Sequence, residues 1–126
     1  MAEFSIFYAW QSGHPTATNW TFIKDALHKA CKAVALDPNL NLHATIDRDT
    51  KGVPGAPAIP ATILAKIDNG QAFIADVSLC YNEPNTDRAP NPNVLFELGY
   101  AIARLGWDRI VLVVNEEYGP IRRPPV

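Results

Sequence analysis

The chain is poor in the features that would assign it quickly. Only two of its 126 residues are cysteine, Cys31 and Cys80, and they lie far apart within predicted elements. Two distant thiols suit a reduced, cytoplasmic protein in which both are buried. His14, His28 and His43 are isolated, so no Cys/His cluster has metal-ligand spacing. No apolar run approaches the roughly 20 residues of a membrane helix, and the N-terminus lacks the basic region and cleavage site of a signal peptide. The formal net charge of -2 leaves no electrostatic footprint for nucleic acid or an anionic membrane. A GxxxxGK[ST] loop, a GxGxxG turn and a GxSxG elbow are all missing, which argues against a P-loop nucleotidase, a conventional dinucleotide oxidoreductase and an α/β-hydrolase. The acidic pair of a response-regulator receiver is missing too, since Tyr8-Ala9-Trp10 stands at the first strand end. There are no internal repeats and no low-complexity segment.

What is present is an alternation of strand and helix signals, in a chain long enough for one domain and one core. Phe4 to Trp10 is aromatic-rich and apolar on both faces, as in a central strand. Thr18 or Asn19 can cap a helix to about Ala35, with Phe22, Ile23, Ala26, Leu27, Ala30 and Val34 along its inner face. Leu40 to Ile46 alternates apolar and polar residues, which predicts a second strand nearer an edge. The stretch Asp47 to Pro60 then holds two glycines and three prolines, excludes regular structure and exceeds a plain βα connection. Ala61 to Asn69 reads as a short helix, Ala72 to Ser78 as a buried parallel strand and Arg109 to Asn115 as a fourth buried strand. Between the last two strands, Asn91 and Pro92 open a helix that Gly106 stops. Its apolar stripe is Val94, Leu98, Ala101, Ile102 and Leu105. Glu97 falls beside that stripe, on the flank of Arg104, where it can point into a cleft without entering the core. Phe96 lies opposite the stripe as a candidate subunit contact.

The order β-α-β-α-β-α-β predicts a parallel sheet with helices on both faces. Residues 1–115 form the expected domain and 116–126 a charged, proline-rich tail or linker without an element. Sheets of this kind usually have at least five strands, so the chain is expected to stop one element early, with either the domain truncated or a partner completing the sheet.

Parallel topology brings the strand ends to one rim, where open α/β sheets bind ligands. Tyr8, Trp10 and Gln11 follow the first strand, Asp47, Arg48 and Asp49 the second, Asp76 and Ser78 the third, and Asn115 and Glu116 the fourth. An aromatic ring there can stack on a flat heterocycle. Arg48 can pair with phosphate. Glu97 can stabilise, or be attacked by, a ribosyl oxocarbenium ion as an N-glycosidic bond breaks. A nucleotide or nucleoside is the expected substrate. Asp76 has an alternative role in capping backbone amides of the following loop.

Four stretches together carry a resemblance: Phe7 to Ser12, Ile46 to Gly55, Phe73 to Ser78 and, most tellingly, Asn91 to Ala101. They resemble the bacterial TIR-like domains, effector modules of anti-phage defence that are often fused to a cyclic-nucleotide sensor. The helix bearing Glu97 is also similar to that of the nucleoside 2-deoxyribosyltransferases, whose helix glutamate is the glycosyl nucleophile. The TIR resemblance implies a flavodoxin-like fold and an antiviral NADase (a hydrolase of bacterial innate immunity) that cleaves NAD to nicotinamide and ADP-ribose or its cyclic form. NAD is then substrate, and no cofactor or metal is expected. Glu97 stands at the family's catalytic glutamate. Tyr8, Trp10 and Arg48 match positions lining the pocket, and Asp76 and Ser78 lie where the third strand opens onto it. The segment from Arg48 to Pro60, with Asp49, Lys51, Gly52, Pro54 and Gly55, stands at the loop that gates the site and contacts a neighbouring TIR domain. Self-association, a fused or partner cyclic-nucleotide sensor and a cytoplasmic location are implied as well. A non-catalytic assembly scaffold and a nucleoside deoxyribosyltransferase are the alternatives.

Overall fold

The computed structural model describes residues 2–11, 17–48, 59–79 and 89–118, with the side chains of residues 59, 60 and 118 left aside. Its elements are β1 (Ala2–Ala9), α1 (Trp20–Leu36), β2 (Leu42–Arg48), α2 (Ile59–Asp68), β3 (Ala72–Asp76), α3 (Pro92–Leu105) and β4 (Ile110–Val113), with short 3-10 turns at Trp107–Arg109 and Glu116–Tyr118. The four strands form one parallel sheet in the order β2-β1-β3-β4. This is the predicted α/β architecture. The second 3-10 turn lies in the stretch the sequence assigns to a tail without elements.

Period two in the strands sorts side chains between the two faces. Phe7 and Ala9 on β1 and Phe73 and Ala75 on β3 meet Ile63 and Ile67 of α2 and Val94 and Ala101 of α3 in one buried cluster. Phe7 and Phe73 stack there with ring centroids 5.7 Å apart. Each such fully buried side chain contributes about 1.5–3 kcal/mol. Tyr8, Ile46, Arg48 and Ile74 have the opposite parity in the same registers and lie on the face that α1 covers.

Three expectations are corrected. The second strand begins two residues later than predicted, at Leu42, because a turn from Asp37 to Leu40 and a left-handed Asn41 (φ 48°) consume the start of the alternating stretch. Asparagine tolerates that conformation because its short polar side chain can bond locally. Phe22, expected on the inner face of α1, is 65% exposed, since α1 packs toward β2 and, among the described residues, no element covers the β4 side of that face. The fourth strand, expected to be buried, is the outermost in the sheet; Val111 and Leu112 are about half exposed. Cys31 is half-buried, with its thiol pKa raised by that burial; Cys80 and His14 lie outside the described residues.

The helix α3 follows its sequence signals closely. The Asn91 side chain accepts from the N–H of Asn93 at 2.8 Å and of Val94 at 3.4 Å, and Pro92 takes the first helical position. Gly106 ends it with φ 83° and ψ 157°, a conformation essentially confined to glycine.

Candidate active site

The C-terminal strand ends are joined by a buried polar network. Asn19, at the N-cap position of α1, makes no capping bond with its side chain. Instead its Nδ2 donates to Asp76 Oδ2 at 2.9 Å and to Ser78 Oγ at 3.2 Å. The other Asp76 oxygen accepts from the Ser78 N–H at 3.0 Å, and the Asn115 N–H donates to Ser78 Oγ at 2.8 Å. Gln11 Nε2 donates to the Ser78 carbonyl at 2.9 Å. Asn19, Asp76 and Ser78 are completely buried. A buried carboxylate is tolerable only when its oxygens are hydrogen-bonded, and the Asn19 side-chain amide and the Ser78 backbone N–H satisfy this one. The network therefore ties β1, β3, the end of β4 and the start of α1 together. Asp76 and Ser78, expected at the substrate, have no surface open to solvent here; Asp76 does hold a backbone amide of the following segment, as its alternative reading has it.

Next to this network on the α1 face, Tyr8 is buried and its hydroxyl donates to the Trp20 carbonyl at 3.4 Å. Burial first, and the Asp76 charge second, push its phenol well above the ordinary value. Trp10 lies tilted against Trp20 with centroids 5.6 Å apart. Arg48 holds its guanidinium carbon 5.3 Å from the Trp20 ring centroid, and Lys24 its ammonium at 4.4 Å. Thus Tyr8, Trp10 and Arg48 do come together, around Trp20, which no sequence signal singled out because an aromatic residue opening an amphipathic helix reads as core.

Glu97 sits on the other face. The structure corrects its expected position beside the buried stripe: it is 4% exposed and stands with Val94 and Ala101 as the buried residues of α3. The reason is a second packing partner. The helix α3 packs on the sheet and also on α2, whose Asp68 accepts from the Tyr100 hydroxyl at 2.8 Å and from Arg104 Nε at 2.7 Å. Tyr100 and Arg104, on the same flank of α3 as Glu97, thus face α2. Since α3 runs back against the parallel strands, its early turns lie toward their C-terminal rim. Asp47, at the end of β2 on this same face, pairs with Lys66 of α2 at 3.2 Å. Phe96, next to Glu97, is 61% exposed and Leu95 is 42% exposed.

The gating-loop residues Asp49, Lys51, Gly52, Pro54 and Gly55 lie outside the described residues. Among the described residues, no group of three His, Cys, Asp or Glu side chains could hold a metal ion, and no helix is long and apolar enough to cross a membrane.

A four-stranded parallel sheet with a helix glutamate buried toward its C-terminal rim is the arrangement of a flavodoxin-like α/β domain. The comparisons take this further. Residues 22–121 match the family model described as CAP12/Pycsar effector protein, TIR domain, and the chain belongs to that family. It is thus a TIR effector domain of anti-phage defence. No curated protein sequence matches the chain. Among solved structures it is similar to a 2-desoxiribosyltransferase from Leishmania mexicana, at 23% identity and TM-score 0.51 over 88% of this chain and 63% of that one. That likeness is one of fold, and the chain spans under two thirds of that protein's length.

Proposed function

We propose that this domain is an NAD glycohydrolase effector, activated by self-association and coupled to a sensor of a cyclic nucleotide. The observation that carries the reading is the burial of Glu97 on α3, beside an apolar cluster and toward the rim where parallel sheets take ligands. A glutamate is seldom so buried without a task. Its carboxylate can face the ribosyl C1′ as the bond to nicotinamide breaks, either as nucleophile or as counter-charge to the oxocarbenium ion. Nicotinamide is cationic in NAD and leaves neutral, so no general acid is needed on the leaving group. Water then adds at C1′ and releases ADP-ribose and a proton; attack by the adenine of the same molecule would give the cyclic product.

In this reading Trp10 and Arg48 meet the substrate, with Tyr8 behind them. Asp76 and Ser78 act as positioning residues, through the network that fixes the rim. The loop from Asp49 to Gly55 gates the site and contacts the neighbouring domain, and the exposed Phe96 and Leu95 lend themselves to that assembly.

The test is NAD consumption followed by product chromatography at high protein concentration, wild type against Glu97→Gln, with deoxynucleosides as a parallel substrate. Turnover should fall at least about a hundredfold in a variant that keeps its fold. Unchanged turnover in folded Glu97→Gln overturns the catalytic assignment. Base exchange on deoxynucleosides with NAD untouched would assign the deoxyribosyltransferase reaction instead.

A further inference from the structure

In the NAD reading Arg48 meets the substrate, and its guanidinium suits a phosphate. Yet Arg48 is the last residue of β2, the outermost strand on its side of the sheet. Its main chain is held there by two side chains from the opposite face. Lys66 of α2 donates from Nζ to the Arg48 carbonyl at 3.0 Å and to Asp47 Oδ1 at 3.2 Å. The same Asp47 oxygen accepts from the Arg48 N–H at 2.8 Å. Both main-chain polar groups of Arg48 thus end on the Lys66–Asp47 pair, which closes a ring around this one residue.

The alternation of a strand gives the ring its consequence. Asp47 stands beside Phe7 in the β1–β2 register and shares the α2 and α3 face with it. Arg48 stands beside Tyr8 and sends its guanidinium to the α1 face, 5.3 Å from the Trp20 ring centroid. Holding the main chain of Arg48 from one face therefore fixes the direction in which its side chain leaves on the other.

Stability alone gives no sufficient reason for a lysine at position 66. Its side chain is 16% exposed and that of Asp47 35%. Desolvation of such a pair offsets much of its attraction, so an apolar side chain of the same length would serve α2 about as well. An apolar side chain could not bond the Arg48 carbonyl. Direction also matters more for a guanidinium than for an ammonium, because it meets phosphate oxygens with a planar fork. We propose that Lys66 is a positioning residue for substrate binding: with Asp47 it fixes the main chain of Arg48, so that the guanidinium is held for the pyrophosphate of NAD. The proposal rests on the NAD glycohydrolase reading, so one arm of its test uses no NAD.

That arm measures the 15N order parameter of the Arg48 side-chain Nε–H in the whole labelled chain, assigned with Arg48→Lys. In wild type it should approach the rigid value of about 0.85, and in Lys66→Met it should fall toward the flexible range below about 0.6. Lys66→Arg can still donate to both acceptors and should keep the wild-type value. Asp47→Ala opens the ring from a more exposed position and should act as Lys66→Met does. A guanidinium already loose in wild type, or one that stays rigid in both Lys66→Met and Asp47→Ala, overturns the proposal whatever the protein does to NAD. In the second arm, NAD turnover at high protein concentration, Lys66→Met should raise KM about tenfold with kcat kept within about threefold, and Lys66→Arg should recover most of the loss. In an Arg48→Met background, Lys66→Met should change KM less than about twofold, since no guanidinium is left to position. Full additivity of the two changes overturns the proposal, and so does a fall in kcat at unchanged KM. An Arg48 side chain that is rigid in wild type and loosened by Lys66→Met, in a protein that leaves NAD intact, supports the positioning and overturns the NAD reading instead.

Discussion

The two faces of the sheet are built on different principles. Under α2 and α3 the core is apolar, and Glu97 is buried beside it. Under α1 the rim is held by hydrogen bonds among Asn19, Asp76, Ser78 and Asn115, while Phe22 and Val111 stay exposed and cations gather around Trp20. One face supplies the apolar core and the buried Glu97 carboxylate. The other supplies precise geometry at the strand ends and two cations against Trp20. Burial thus has opposite meanings across a single sheet. A buried side chain at position 67 is packing, whereas one at position 76 is a satisfied polar anchor.

The difference can be broken most forcefully on the apolar face. Ile67 is completely buried among α2, α3 and the sheet. Ile67→Ala should cost about 2–5 kcal/mol, seen as a lower denaturation midpoint at unchanged slope. An isoleucine-to-alanine cost below 1 kcal/mol, by the same scale of about 2–5, would mean that this face is loosely packed.

On the α1 face, Asp76→Ala should be the next most damaging change. It removes no large apolar volume, yet it strands one N–H of the Asn19 amide and the Ser78 backbone N–H in a buried place. Each stranded donor costs about 1–3 kcal/mol. A near-neutral Asp76→Ala would show that water reaches the network. By contrast, Val111→Thr on the exposed edge strand should stay within about 0.5 kcal/mol of wild type. A larger loss would show that this part of the sheet is covered in solution.

The sequence made some of this contrast readable and hid the rest for local reasons. The helix α3 was legible throughout, because Asn91, Pro92 and Gly106 act on neighbours within one turn. The gathering of strand ends at one rim was legible because parallel order alone imposes it. The depth of Glu97 was not: the wheel of α3 shows one apolar stripe with Glu97 beside it, and its burial depends on tertiary packing that the wheel does not contain. Nor was the role of Asn19, whose local signal is helix capping and whose tertiary partners, Asp76 and Ser78, lie more than fifty residues away. The exposure of β4 was hidden as well, since a short apolar run looks the same at an edge as in the centre of a sheet. The Trp20 cluster joins two elements by cation–π contact, for which a sequence offers no periodicity.

A small effect tests how the apolar face is closed at its outer margin. Asp68 accepts from both Tyr100 and Arg104, and its carboxyl is held below the ordinary value, chiefly by the Tyr100 hydroxyl and next by Arg104. A carboxyl with a lowered folded pKa stabilises the protein above its unfolded value, here 3.8, and loses that contribution as pH falls through the folded value. The group is exposed, so screening keeps the effect small. Asp68→Asn should therefore lower the urea midpoint slightly at neutral pH, and the gap to wild type should close below about pH 4. Added salt should narrow the same gap at neutral pH. A gap that persists unchanged into acid would show that Asp68 holds the α2–α3 seam by hydrogen-bond geometry alone, without help from its charge.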